Sequence, residues 1–328
     1  MTSGVAGRAQ PPARPAKHEY TLLTVAYGTE YRFLRLQARS LDRYLAPGLV
    51  TEIVVIDNSE SASAPTCTAQ LIQDYGRLAP KVRFVSNREV ATVMPGVLGW
   101  VSQQVLKLLA ARVVRTDRYV VLDAKDHLVF PVDGGFFEAP DGRMRSRIVN
   151  YELYPVRDPG DPNDVRAWAA NALRFFHLDA HAHRKKFTPT VTPFVLSASI
   201  VRELIHSVET GQRQPFEQVF VQRQLTEFFL VAAYLIASGR GIWDTYDASG
   251  VRCPALRKGA SDEAVRDAIA WSEQSELPFF SVHRAALAFL SPVAVREISE
   301  FWCRRCLFTT QSRATAFFRP QLAPGFSF

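Results

Sequence analysis

The first 123 residues alternate short β-prone runs with helical stretches, and that alternation restricts the fold more than any other feature. Residues 20–26 (YTLLTVA), 51–56 (TEIVVI), 82–85 (VRFV) and 119–122 (YVVL) are strand candidates. Between them, residues 32–45 place Phe33, Leu34, Leu41 and Leu45 at helical spacing and stop at Pro47-Gly48; residues 67–78 read as helical and 98–114 as a strong helix. Strands that alternate with helices predict an α/β fold, a mostly parallel sheet with helices on both faces. Ligands bind such sheets outside the carboxyl ends of the strands. The fourth strand runs into Asp123-Ala124-Lys125-Asp126-His127, two carboxylates, an amine and an imidazole within five residues. Converging charge at the end of an apolar strand marks a candidate site.

The second half is less regular. Residues 136–142 and 158–164 are turn-rich, 165–178 suit a helix, and 191–196 suit a strand. A helix from Ser199 to about Val208 follows, with Ser197 or Ser199 as its cap. Residues 216–238 predict one long helix, ended by Gly239 and Gly241. Residues 1–18 read as a disordered basic arm and 291–328 as a helical, aromatic C-terminal appendage.

Charge and cysteine content narrow the function. The formal net charge of +7 lies wholly in the ends: Arg8, Arg14 and Lys17, then Arg304, Arg305, Arg313 and Arg319, with no acid among residues 1–17 or 303–328. The remaining 32 basic residues face 32 acidic ones, so no basic face for nucleic acid is expected. The basic ends allow weak contact with an anionic membrane surface. No apolar run approaches the ~20 residues that span a bilayer, and residues 1–17 hold no signal-peptide core. Four cysteines make no disulfide framework for a chain of 328 residues; Cys303 and Cys306 read as half-buried helix residues rather than metal ligands. A cytoplasmic location, at most peripheral to the inner membrane, fits these features.

Three further groups of residues carry chemistry. On the helix of residues 98–114, Leu98, Val101, Val105, Leu108 and Leu109 fall on one side, and Trp100, Gln103, Gln104 and Lys107 on the other, at offsets of 3, 4 and 7. Such a polar face suits the wall of a ligand cleft, with Lys107 aimed at phosphate. Ala26-Tyr27 closes the first strand and Asp57-Asn58 the second, placing them beside Asp123 in one crevice. Glu227 opens a strongly apolar stretch, as a charge at a helix start or as a base. His177, His181 and His183 cluster next to Arg184-Lys185-Lys186, which would repel a cation, and read as an acceptor-side loop. No Gly-x-Ser-x-Gly elbow, Walker loop or dinucleotide glycine fingerprint is present.

EIVVIDNSESASAP resembles the second strand and following loop of many family-2-type glycosyltransferases of the GT-A fold. GWVSQQVLKL followed by YVVLDAKDHLVFP is similar to a group of bacterial glycosyltransferase-like proteins. In that group a Trp-x-x-Gln-Gln-x-x-Lys helix precedes a Leu-Asp-x-Asp or Leu-Asp-x-Lys strand end. The resemblance runs through about residues 20–290 and is most specific over 99–131. It implies a GT-A-like domain over residues 19–290 and transfer of a sugar from a nucleoside diphosphate donor to a saccharide or other hydroxyl acceptor, as in bacterial polysaccharide assembly. It implies catalytic roles for Asp123, Lys125 and Glu227, and donor contacts from Ala26, Tyr27, Asp57, Trp100, Gln103, Gln104 and Lys107. It also implies Mn²⁺ or Mg²⁺ held by Asp123 with Asp126 or His283. Lys125 stands where the second carboxylate of an Asp-x-Asp motif would be, so Lys125 and Lys107 replacing the metal is an equal expectation. Two other classes remain open: a nucleotidyltransferase, which the single glycine of residues 27–32 disfavours, and a non-catalytic binding or scaffold protein, which the missing carboxylate favours.

Overall fold

A computed structural model describes residues 18–59, 65–91, 99–155, 161 and 164–319. The arm of residues 1–17, Leu98 and the last nine residues lie outside that set, as do the basic charges that residues 1–17 contribute.

Ten strands occur among the described residues: β1 Tyr20–Ala26, β2 Val50–Asp57, β3 Val82–Ser86, β4 Arg118–Asp123, β5 Asp126–Leu128, β6 Met144–Arg145, β7 Phe194–Ser197, β8 Tyr246–Asp247, β9 Ala255–Leu256 and β10 Phe279–Val282. Five form the central sheet in the order β3-β2-β1-β4-β7. The first four are parallel and β7 runs antiparallel to β4 at the edge. Every residue of β1 is buried, as expected of a central strand covered on both faces. The register pairs Ala26 with Asp57 and Val25 with Asp123, so the carboxyl ends of β2 and β4 flank that of β1. Smaller sheets join β5, β10 and β9, and β6 with β8.

The helices Tyr31–Tyr44 and Pro65–Asp74 form where periodic apolar positions were expected, the second shorter than anticipated and followed by a 3₁₀ turn, Gly76–Lys81. Ser197 is the cap of Ala198–Gln212, its hydroxyl accepting the Ile200 N–H. One expectation fails. The apolar stretch of residues 216–238 is two helices, Phe216–Gln222 and Glu227–Ala237, meeting at 104°. Gln224 sits in the left-handed region between them (φ 50°). Both halves are apolar, so periodicity alone gives no sign of the break; burial of Leu225 and Thr226 at the corner holds it. The bend gives Glu227 a fresh helix N-terminus. Among the described residues no single helix is long and apolar enough to cross a membrane.

The C-terminal helices Pro292–Arg304 and Gln311–Ala316 share the main core through the fully buried Trp302. Cys306 lies past the helix end in the left-handed region and is exposed, so only Cys303 matches the half-buried helical expectation. Trp302 donates its indole N–H to His127 Nε2 at 2.9 Å. An indole can only donate, so Nε2 is unprotonated and the ring proton is on Nδ1, facing the Lys125 carbonyl at 3.2 Å. Burial pushes the His127 pKa down to about 4. The folded value is depressed, so this contribution is complete above the unfolded value near 6.5 and is lost as pH falls toward 4. We expect thermal unfolding from pH 7 to 4 to show a loss on the order of 3 kcal/mol from this group, and His127→Leu to flatten that part of the pH dependence. An unchanged slope in the variant would contradict the assignment.

Candidate active site

The central sheet winds outward from β1 through β2 to β3 and returns on the other side of β1 with β4. The strand order therefore switches between β1 and β4, the place where open α/β sheets leave a crevice. Asp123 ends β4 at that point, its side chain 27% exposed.

Lys107 meets Asp123 from the helix Gly99–Leu109. Its ammonium lies 2.8 Å from Asp123 Oδ1 and 3.4 Å from Glu227 Oε1, and over the Phe228 ring. Lys125 bonds the other Asp123 oxygen. Burial opposes the charge on all of these groups. The paired ammoniums nevertheless hold the Asp123 carboxyl far below its ordinary range, and the two carboxylates hold Lys107 above its own. Burial dominates at Glu227 and pushes its pKa up despite Lys107. One Glu227 oxygen faces Lys107, while Oε2 is buried without a hydrogen-bond partner. Gln104 accepts the Glu227 backbone N–H at 3.3 Å, fixing the start of that helix.

The helix face expected to border a cleft is thus mostly buried. Gln104 and Lys107 are 1% and 6% exposed, while Trp100 is open at 52%. Val101, expected on the core side, lines the cleft, and Gln103 turns away to donate to Glu30 and the Val25 carbonyl.

The turn after β4 is locked from below. Gln37 donates to the Asp123 and Asp126 carbonyls, both at 2.9 Å. Asp126 Oδ2 accepts the Asp123 N–H at 2.9 Å and Oδ1 accepts the Ser281 hydroxyl. His283 caps a 3₁₀ turn, Nδ1 accepting the Ala285 N–H at 3.1 Å; partial burial and then Lys125 push its pKa down, leaving it neutral. Asp123, Asp126 and His283 are therefore not gathered as ligands. Among the described residues no three His, Cys, Asp or Glu side chains are grouped to hold an ion. A carboxylate already bearing two ammoniums, another spent on its own turn and an imidazole nitrogen spent on a backbone N–H do not fit a divalent cation.

A cleft of about 680 Å³ opens over this cluster. Its lining holds six cations, Lys107, Lys125, Arg145, Arg147, Arg257 and Lys258, against two carboxylates, Asp123 and Glu227. Trp168 packs on Trp100 at its wall, ring centroids 5.2 Å apart. Arg145, Arg147, Arg257 and Ser281 escaped the sequence analysis because they come from irregular segments or short strands; Trp168 sits on the expected helix, Val165–Phe175, but no local pattern shows that it meets Trp100. The segment Met144-Arg145-Ser146-Arg147-Ile148, in which basic residues alternate with uncharged ones, is the one signal that could have found two of them. Ala26, Tyr27, Asp57, Gln104 and Asp126 are outside the described lining. Asp57 accepts the Ser59 N–H at 2.9 Å and a bond from the Tyr31 hydroxyl at 3.4 Å. Tyr27 caps the turn Gly28–Glu30, its hydroxyl 3.4 Å from Ser102. His177, His181 and His183 also lie outside the lining; His181 is 3.6 Å from Glu152.

The chain belongs to the family of unknown function DUF6492, whose profile matches residues 24–280. No curated protein matches it in sequence. Among solved structures it is similar to the apo WbbM bifunctional glycosyltransferase, at 12% identity and a TM-score of 0.46, covering 84% of this chain and 47% of that one. It thus spans about half the length of WbbM. It is also similar to an active-site mutant of LgtC, at 10% identity and a TM-score of 0.48, covering 86% of this chain and 94% of that one. A complex of the galactosyltransferase LgtC with donor and acceptor sugar analogues gives 10% identity and a TM-score of 0.45, covering 91% and 95%.

Removing Lys107 would leave Asp123 and Glu227 without their shared cation. We expect Lys107→Met to cost about 3–5 kcal/mol in denaturant unfolding, and Glu227→Gln added to it to recover part of that loss. Lys107→Met at wild-type stability would show that the bridge contributes nothing.

Proposed function

We propose that this member of DUF6492 transfers a sugar from a nucleoside diphosphate donor to a hydroxyl of a saccharide or other small acceptor, with ammonium groups in place of a divalent cation. The Lys107–Asp123–Lys125 chain at the β1/β4 switch point, opening on a cleft with excess positive charge, is the observation that carries it. The resemblance of residues 99–131 to glycosyltransferase-like proteins agrees with it.

In the reaction the bond between the sugar's anomeric carbon and the diphosphate oxygen breaks, and a bond to the acceptor oxygen forms. Negative charge builds on the departing diphosphate. Lys125, one quarter exposed, supplies positive charge there, with Arg257 and the neutral His283 beside it. Asp123 acts as positioning residue: it holds both ammoniums in place. The ends of β1 and β2, with Ala26, Tyr27 and Asp57, suit the nucleoside, in keeping with binding at strand carboxyl ends. Glu227 takes the acceptor proton. Its raised pKa brings it nearer neutrality, where a base works best, and its unpartnered oxygen is free to accept. Trp100 and Trp168 form a wall on which a sugar ring can lie.

Binding to the native state raises the melting temperature by mass action. Among UDP-, GDP-, CMP- and ADP-linked sugars, we expect one nucleoside diphosphate sugar to stabilise the protein by several degrees. The shift should be the same in EDTA as in Mn²⁺, and Lys125→Met should lose it. A shift that required Mn²⁺ would return the diphosphate to a metal; no shift with any donor would favour a non-catalytic protein.

A further inference from the structure

The cleft holds cations that this chemistry leaves over. Arg145 ends β6, and Arg147 stands two residues on, at a bridge to Ser249. Residues two apart in an extended segment share a face, and both arginines line the cleft. Their neighbour Arg143 is tied to Asp141 and to the Trp243 carbonyl. Arg145 and Arg147 have no such ties among the described residues. The Arg145 Nε is buried with no hydrogen-bond partner. Buried donors left unpaired are costly. Two guanidinium forks on one face match a carboxylate or a phosphate group.

Their position separates them from the diphosphate. The short strand β6 packs beside β7, which lies on the far side of β4 from β1 and β2. The Asp123 turn therefore stands between these arginines and Asp57. Across the sheet, the strand ends that suit the nucleoside come first, then the turn with Lys125, and Arg145 and Arg147 lie on its far side.

We infer that Arg145 and Arg147 form an anion subsite for the acceptor, which is a sugar bearing a carboxylate or a phosphate. The identity of this ligand as acceptor rests on the glycosyl transfer proposed above; the anion site itself does not. Trp100 and Trp168 line the cleft, so tryptophan fluorescence reports its filling. The protein would be saturated with UDP, GDP or ADP, whichever binds, and titrated with glucuronic acid, glucose 6-phosphate and glucose. One of the two anionic sugars is expected to bind at least tenfold tighter than glucose, and which one identifies the anionic group. The double variant Arg145→Met/Arg147→Met should lose that preference while nucleotide affinity stays within twofold, and Arg145→Lys should keep part of it. Equal binding of all three sugars would overturn the subsite. So would a parallel fall in nucleotide affinity, which would make these arginines part of the diphosphate site. If no nucleotide binds, glycosyl transfer fails, and the same titration of the nucleotide-free protein decides the subsite alone: a preference lost in the double variant supports it, and no preference overturns it.

Discussion

The Lys107 ammonium, held between Asp123 and Glu227, ties three elements together at one point: the helix Gly99–Leu109, the end of β4 and the start of Glu227–Ala237. A buried ammonium is tolerated only with opposite charge close by, and each carboxylate in turn needs the cation. The helix break at residues 223–226 makes this possible. A continuous helix over residues 216–238 would not give Glu227 a helix start, nor leave its backbone N–H for Gln104.

The cluster is balanced within itself, two ammoniums against two carboxylates. The surplus positive charge of the cleft therefore comes from Arg145, Arg147, Arg257 and Lys258, none of which bonds a carboxylate directly among the described residues, although Arg145 acts on Asp247 through space. A chain whose sequence is electrically neutral over residues 18–302 thus concentrates cations around one cavity. Such a cavity strengthens its interactions with anions by excluding water, because Coulombic attraction grows as the local dielectric falls. In the proposed reaction the diphosphate meets fixed side-chain cations, and the folding of the Asp123–Asp126 turn, with Gln37 beneath it, sets where Lys125 stands.

The parallel sheet was legible because buried strands read as unbroken apolar runs and amphipathic helices keep their period. The site was legible in part for the same reason: offsets of 3, 4 and 7 put Trp100, Gln104 and Lys107 on one side of their helix. What that face meets was not, since Lys107 and Glu227 are 120 residues apart and no local pattern links them. His127 and Trp302, 175 residues apart, escaped for that reason too, and with them the bond from the last long helix to the turn after β4. Asp126 looked like a ligand by proximity to Asp123, but in so tight a turn its carboxylate reaches the backbone before it reaches a cleft. Arg145 and Arg147 come from a two-residue strand and the extended segment after it, too short for periodicity to register.

The most direct test of the central claim, that fixed side-chain cations receive the diphosphate, is calorimetric titration in EDTA with a nucleoside diphosphate and its monophosphate. Wild-type protein should bind the diphosphate at least tenfold tighter, and Lys125→Met should abolish the difference between the two. Equal affinity for both in wild-type protein, or a preference that appears only when Mn²⁺ or Mg²⁺ is restored, would contradict the account.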